Sequence, residues 1–337
     1  MLKKCISKLA NGNSLSEEEA YLAIKEILKG KATHSQIASF LTALTIKGES
    51  LEEIIGAVKA MREMAVTIKL NDVNAVDTCG TGGDASGTFN ISTTAAIVAA
   101  GAGVTVAKHG NRSVSSRCGS ADILEKMGVK VNLSPEKVAK CIDEIGIGFM
   151  FAPQFHSAMK YAAPVRKEIG IRTIFNILGP LSNPAEVRRQ VVGVFSEKVQ
   201  DLYAETLLRL GIEKAYIVHS DDGLDEISVC AETRVLEINK GKISDYRIAP
   251  EDFGMMRHRR DEIIGDNAEI NRDIIIRILK GAEGGKRDIV LLNAAAAIAA
   301  SGRVESMEEG LEIAKESINS GKAEKKLQDM IAFTNRV

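Results

Sequence analysis

Residues 77–93, DTCGTGGDASGTFNIST, constrain this chain more than any other stretch, and an apolar, alanine-rich run follows them at once. Gly80, Gly82, Gly83 and Gly87 carry no Cβ, so the backbone there can turn tightly and bring N–H groups against a bulky anion. Thr78, Thr81, Ser86, Thr88, Asn90, Ser92 and Thr93 add short polar groups, and Asp84 adds a carboxylate. A helix starting near Ser92 or Thr93 aims its positive end at the same place. The expectation is a phosphate or diphosphate loop between a strand and a helix. It is not the common nucleotide loop, because Gly-Lys-Ser and Gly-Lys-Thr occur nowhere. Nor does the glycine spacing fit the dinucleotide fingerprint. A plain glycine-rich hairpin turn leaves the hydroxyls and Asp84 without a reason.

The chain has 337 residues, enough for one large domain and a smaller one. Lys and Arg number 44 against 45 Asp and Glu, so the net charge of −1 argues against a general nucleic-acid or membrane-surface role. Five scattered cysteines, none spaced Cys-x-x-Cys, read as reduced thiols of a cytoplasmic protein without a zinc site. No signal-peptide core opens the sequence, and the longest apolar stretch, residues 95–107, is too short to span a bilayer.

Residues 1–70 read as a helical unit. Ser16 with Glu19, Thr33 with Gln36 and Ser50 with Glu53 fit capping boxes, and apolar residues recur at helical spacing after them. Their apolar faces exceed what so small a unit can bury alone, which predicts a dimer interface, with Ile37 and Phe40 on it. From residue 71 to 337 the pattern turns to alternating strands and helices, an α/β domain with a mostly parallel sheet flanked by helices. Short β-branched runs mark strands at residues 104–106, 191–195 and 216–218; Pro135 opens one helix and residues 198–210 form another. The basic run at residues 257–260 leads into Asp261 and Glu262 and reads as a solvated surface turn.

Three further segments carry chemistry. Residues 108–128 read as a loop after a strand, offering Lys108, His109, Asn111, Arg112, Ser113, Ser115, Ser116 and Ser120 with Gly110 and Gly119, a set suited to a multiply charged ligand. Residues 150–184 place His156 and Arg166 among small and apolar residues, where Arg166 could pair with the carboxylate of a flat ligand; a surface ion pair is the competing role. Gly179-Pro180 and Asn183-Pro184 read as a tight loop. Asp221, Asp222, Asp225 and Glu226 crowd a loop after a strand, as Mg²⁺ requires, though a solvated acidic turn reads equally well from that segment alone.

In this order, GTGGD (80–84), TFNIST (88–93), KHGNR (108–112), GSAD (119–122), FNILGPL (175–181) and DGLDE (222–226) resemble the anthranilate phosphoribosyltransferases, and the likeness spans essentially the whole chain. Ser157 and Ser220 depart from that family's usual proline and glycine. The resemblance implies transfer of phosphoribose from phosphoribosyl diphosphate (PRPP) to the amine of anthranilate, in tryptophan biosynthesis. It implies PRPP contacts from Gly80, Gly83, Asp84, Thr88, Asn90, Ile91, Ser92, Thr93, Lys108, His109, Gly110, Asn111, Arg112, Ser113, Val114, Ser115, Ser116 and Ser120. Anthranilate would meet Gly80, Asn111 and Arg166, with His109, His156 and Lys108 positioning rather than attacking. Ser92, Asp225 and Glu226 would ligate two Mg²⁺ ions, and the protein would be a cytoplasmic homodimer acting on small molecules. A nucleoside phosphorylase is the nearest rival, but it releases no diphosphate and has no use for the acidic pair. A silent relative binding nucleic acid fits poorly with the neutral net charge.

Overall fold

The computed structural model describes residues 1–84, 86–113 and 117–337. Four helices open the chain: α1 (Leu2–Ala10), α2 (Glu17–Leu28), α3 (His34–Lys47) and α4 (Leu51–Glu63). All three capping boxes form, with Ser16, Thr33 and Ser50 accepting from the N–H groups of Glu19, Gln36 and Glu53. Glu53 is fully buried, yet its carboxylate also takes the Leu15 N–H and the Lys47 ammonium, each at 2.8 Å. A buried carboxylate so completely matched fixes how the helices meet.

The chain then alternates through β1 (Val76–Asp77), α5 (Ile91–Gly101), β2 (Val106–Gly110), α6 (Ser120–Lys126), α7 (Pro135–Ile145) and β3 (Ile147–Phe151). Three helices, α8 (Ala152–Phe155), α9 (Ala163–Ile169) and α10 (Ile174–Leu181), precede β4 (Arg189–Gly193), α11 (Glu197–Arg209) and β5 (Lys214–Ser220). A hairpin of β6 (Thr233–Asn239) and β7 (Lys242–Ile248) leads to α12 (Ala268–Leu279), α13 (Gly285–Ala300), α14 (Met307–Asn319) and α15 (Lys322–Arg336). The sheet order is β3-β2-β1-β4-β5-β6-β7; the first five strands are parallel and the last two antiparallel.

Two strand limits correct the sequence reading. The run at residues 104–106 only approaches β2, which continues through Lys108, His109 and Gly110 rather than ending before them. A lysine inside a buried parallel strand is tolerated because its ammonium finds oxygen acceptors, a tertiary fact that local polarity hides. The run at residues 191–195 is likewise the later part of a strand that starts at Arg189. Gly179 and Pro180 close α10 instead of forming a loop.

Alternation along β5 shows how the layers assemble. Tyr216 and Val218 enter a core shared with α5, α13, α14 and α15. Ala215 and Ile217 enter one shared with α1 to α4, α9, α10 and α11. The apolar faces of the N-terminal helices are therefore covered within the chain: Ile37 and Phe40 are each 1% exposed, packed into that second core. This overturns their expected place on a dimer interface, since their partners come from elements far along the sequence. Phe40→Ala is expected to cost about 3–5 kcal/mol in urea unfolding as a core cavity.

Strand β1 connects onward to β2 on one side, while β4, its other neighbour, connects to β5 on the opposite side. That reversal makes the crevice beyond the carboxyl ends of β1 and β4 the natural ligand position.

Candidate active site

Four segments reach that crevice, and small residues let them do so. A Cβ on Gly193, at the end of β4, would overlap the Asp225 carbonyl oxygen, so only glycine lets the loop after β5 cross there. A Cβ on Gly80 would lie 3.1 Å from Asp225 Oδ2 and from the Gly193 carbonyl oxygen. Gly82, Gly83 and Gly87 all adopt positive φ, at 65°, 80° and 72°, which turns the glycine loop back on itself. The Thr81 N–H donates to the Gly193 carbonyl at 2.8 Å, pinning loop to strand.

Lys108 is 4% exposed, and its ammonium donates to the carbonyl and hydroxyl oxygens of Thr78, both at 3.0 Å, and reaches Ser92 Oγ at 3.5 Å. It thus sits between the glycine loop and the start of α5. A cavity of about 10 Å³ adjoins it, lined by Thr78, Gly80, Ser92, Gly193, Glu226 and Asn293 among others. That volume is at the lower limit for one water.

The acidic loop sorts into two classes. Asp221 is ion-paired with Arg247 at 2.6 Å, and Asp222 accepts the Ser228 hydroxyl at 2.9 Å. Asp225 and Glu226 make no ion pair among the described residues and accept backbone N–H groups, from Gly82 at 2.8 Å and Ser92 at 3.1 Å. Burial pushes both carboxyls upward, reinforced at Asp225 by Asp84 and at Glu226 by Asp225. Two half-buried carboxylates and a neighbouring third, opposed only by the more distant charge of Lys108 at Glu226, are a site awaiting positive charge. No group of three or more His, Cys, Asp and Glu among the described residues is arranged to hold a metal alone. Mg²⁺ takes one or two carboxylates and completes its shell with substrate oxygens and water. Asn293 fixes this loop by a pair of hydrogen bonds to Ile227, accepting its N–H at 3.0 Å and donating to its carbonyl at 2.9 Å. The Ser220 hydroxyl donates to the Glu226 carbonyl at 2.6 Å.

His109 and His156 are buried with ring centroids 5.2 Å apart. His109 Nδ1 lies 3.1 Å from the Gly179 carbonyl oxygen, so it carries the proton and leaves Nε2 a bare acceptor. Nε2 of each ring lacks a partner among the described residues. Burial drives the His109 pKa down to about 3, with His156 adding to it, and that of His156 to about 4. Both are neutral at pH 7. Beneath them Asp77, fully buried, accepts the His109 N–H at 3.1 Å and the Asn183 amide at 2.7 Å, and burial raises its pKa to about 6.

Arg166 is half-buried over the Phe175 ring at 5.4 Å, and its one hydrogen bond among the described residues, to Asn176 Oδ1, is long at 3.4 Å. No carboxylate pairs with it among the described residues, which disfavours the surface-ion-pair role. Arg112 differs: it forks onto Glu125 at 2.7 and 2.8 Å and onto Asp122 at 2.9 Å, turned toward α6. The Ser120 hydroxyl donates to the Asn111 carbonyl at 3.1 Å, and the Ser113 N–H to Asp122 at 3.1 Å. Asn90 donates to the Cys118 carbonyl at 3.0 Å, and Thr88 lies 3.1 Å from the Ser86 hydroxyl. Ile91 and Thr93 are buried at the start of α5. Val114, Ser115 and Ser116 lie outside the described residues.

Some residues here carried no sequence signal. Arg172 donates to the Gly83 carbonyl and stacks over Phe195 at 4.5 Å. The Thr45 hydroxyl of α3 donates to the Arg172 carbonyl at 3.3 Å, so the helical unit reaches the glycine loop through one residue. In the basic run read as a solvated turn, Arg260 bonds the carbonyls of Asp222 at 2.6 Å and Ser86 at 3.5 Å, joining acidic and glycine loops.

The model of the glycosyl transferase family, a/b domain, matches residues 72–324, and that of its helical bundle domain matches residues 3–65. The anthranilate phosphoribosyltransferase of Acetivibrio thermocellus is 53% identical over 99% of this chain and 97% of its own length. The chain belongs to the anthranilate phosphoribosyltransferases. Among solved structures of this family, that from Thermus thermophilus superposes with a TM-score of 0.93 at 42% identity, covering 98% of this chain and 99% of that one. The Saccharomyces cerevisiae enzyme in complex with PRPP and Mg gives 0.92 at 30% identity, covering 100% and 98%. No helix among the described residues is long and apolar enough to cross a membrane.

Proposed function

We propose that this chain transfers the phosphoribosyl group of PRPP to the amine of anthranilate, giving N-(5-phosphoribosyl)anthranilate and diphosphate, in tryptophan biosynthesis in the cytoplasm. The observation that carries it is the convergence of the glycine loop, Lys108 and the unpaired Asp225–Glu226 pair at the sheet's switch point.

The loop N–H groups after β1 and the α5 N-terminus face the PRPP phosphates, with Lys108 fixed where leaving-group charge grows. Asp225, Glu226 and the Ser92 hydroxyl would hold Mg²⁺, taken as two ions by family likeness, and the metal would supply charge neutralisation for the diphosphate. Thr88, Asn90, Asn111, Ser113 and Ser120 border the same loops, and Arg112 joins them by exchanging its α6 carboxylates for phosphate. On the acceptor side, Arg166 takes the anthranilate carboxylate in its guanidinium fork. His109 and His156, both buried and neutral, back the acceptor side and position it rather than attack. The aromatic amine is neutral at pH 7, so positioning rather than strong base catalysis is the larger contribution.

The direct test is loss of anthranilate fluorescence on adding PRPP and Mg²⁺; absence of turnover with both present overturns the reading. A homodimer formed through the helical unit is part of the proposal, and light scattering should return about twice the 36.3 kDa of one chain.

The buried histidines give a pH signature. Their folded pKa values, about 3 and about 4, lie below the ordinary 6.5. The unfolded chain therefore takes up more protons below pH 6.5, and stability falls as pH drops. Each histidine steepens that fall by up to about 1.4 kcal/mol per pH unit. His156→Gln should flatten the slope of unfolding free energy between pH 6.5 and 5; an unchanged slope contradicts a buried neutral ring.

A further inference from the structure

At the opposite end of the sheet a cleft of about 580 Å³ opens where β4 and β5 begin and β6 turns into β7. Arg189, Lys214 and Asn239 stand side by side there, register partners across β4, β5 and β6. Arg188, Lys240 and the carboxylates Glu213 and Glu305 complete its charged lining. The size falls within the range of small-molecule sites. Seven residues of β5 separate this end from Ser220, roughly 20 Å at strand rise, so the cleft is distinct from the catalytic crevice.

The two arginines are already engaged. Arg188 pairs with Glu213 at 2.9 Å and donates to the Gly211 carbonyl at 3.3 and 3.4 Å. Arg189 donates to the Ala300 carbonyl at 3.1 Å and meets Glu213 at 3.4 Å. Neither fork is free for bidentate capture of a carboxylate. The lysines are different. Lys214 is only 5% exposed, yet its ammonium makes no hydrogen bond or ion pair among the described residues. It lies 5.9 Å from the Tyr216 ring centre, and Glu237 and Glu305 act on it only through their more distant charge. Arg189 Nε is also buried without a partner among the described residues. Lys240, at the hairpin turn, is exposed and unpaired among the described residues. The Lys214 stem is buried while its ammonium opens onto the cleft without a protein acceptor among the described residues, and nothing in the site described above uses it.

We propose that this cleft is a second, non-catalytic binding site for a small phosphate-bearing anion, held chiefly by Lys214 and Lys240. Two compact ammonium charges suit the several oxygens of a phosphate group, whereas a planar carboxylate is better served by an open guanidinium.

The test uses inorganic phosphate in equilibrium dialysis against the full-length Lys108→Met protein, which weakens the competing catalytic anion site. Phosphate should remain bound, and adding Lys214→Met should weaken it by about tenfold or more, the value of a charged hydrogen bond. Lys240→Asn, at a residue with φ 49° that asparagine tolerates, should weaken it similarly and does not depend on the core accepting a methionine. In the otherwise wild-type protein, Lys214→Met should leave kcat and both Michaelis constants unchanged. Phosphate binding that neither lysine substitution alters belongs to the catalytic loops and overturns the proposal, as does absence of binding at millimolar phosphate.

Discussion

Replacing Asp225 and Glu226 together by Asn and Gln is expected to abolish Mg²⁺-dependent turnover while making the metal-free protein more stable to heat. The two effects share one cause. Both carboxyls are half-buried and pushed upward by desolvation, with Asp84 adding at Asp225 and Asp225 at Glu226, against which Lys108 acts only partly at Glu226; neither makes an ion pair among the described residues. A carboxyl whose folded pKa is raised costs stability once pH exceeds its ordinary value near 4, so at pH 7.5 this pair opposes folding. The amides preserve shape and can still accept the N–H groups of Gly82 and Ser92. They cannot hold Mg²⁺ beside diphosphate, and loss of that electrostatic stabilisation should lower kcat by on the order of a hundredfold or more. Thermal melting with and without Mg²⁺ plus diphosphate reads the other half: the wild type should gain stability from the pair of ligands, the variant little. A variant that melts lower than wild type without metal and keeps its Mg²⁺ requirement would return these two acids to a purely structural role.

How much of this was legible depends on where each residue's partners lie. The capping boxes Ser16–Glu19, Thr33–Gln36 and Ser50–Glu53 are local, and all three formed. The glycine loop was legible because its glycines and hydroxyls are contiguous, and the motif set carried the family. What stayed hidden is long-range. Asn183 looks like a turn residue before proline, yet it is buried and clamps Asp77 to the Ala107 carbonyl. Asn293 lies within an apolar helix and gives no sign that it braces the acidic loop 66 positions earlier. Ile37 and Phe40 present an apolar face whose cover, α9, α10 and α11, arrives more than a hundred residues later, so a partner chain was the natural reading. Lys108 and His109 misled for the converse reason: their polarity suggests a loop, while the buried strand supplies their acceptors from Thr78 and Gly179. Within the acidic loop, composition could not separate Asp221 and Asp222 from Asp225 and Glu226. Only Arg247 and Ser228, from other parts of the fold, do so.

Arg166→Ala is expected to raise the Michaelis constant for anthranilate tenfold to a hundredfold while that for PRPP changes little. Burial lowers the Arg166 guanidinium's affinity for its proton, and its one hydrogen bond among the described residues, to Asn176, is 3.4 Å long. A half-buried cation with so weak a partner has donors to spare. The Phe175 face beneath it holds the guanidinium plane without consuming those donors. Asn176 is itself locked, since Oδ1 also accepts the Thr173 N–H at 3.0 Å at the start of α10. The same helix presents the Gly179 carbonyl to His109, so α10 sets Arg166 and the bare His109 Nε2 in one frame. Loss of a charged hydrogen-bonding partner is worth roughly 1.5–3 kcal/mol, which gives the stated range. Arg166→Lys should recover little, because a single ammonium cannot reproduce the fork or the stacking over Phe175. Steady-state kinetics with each substrate varied in turn decides the matter. Equal rises in both constants would remove Arg166 from the acceptor side, and full rescue by lysine would reduce its role to bare charge.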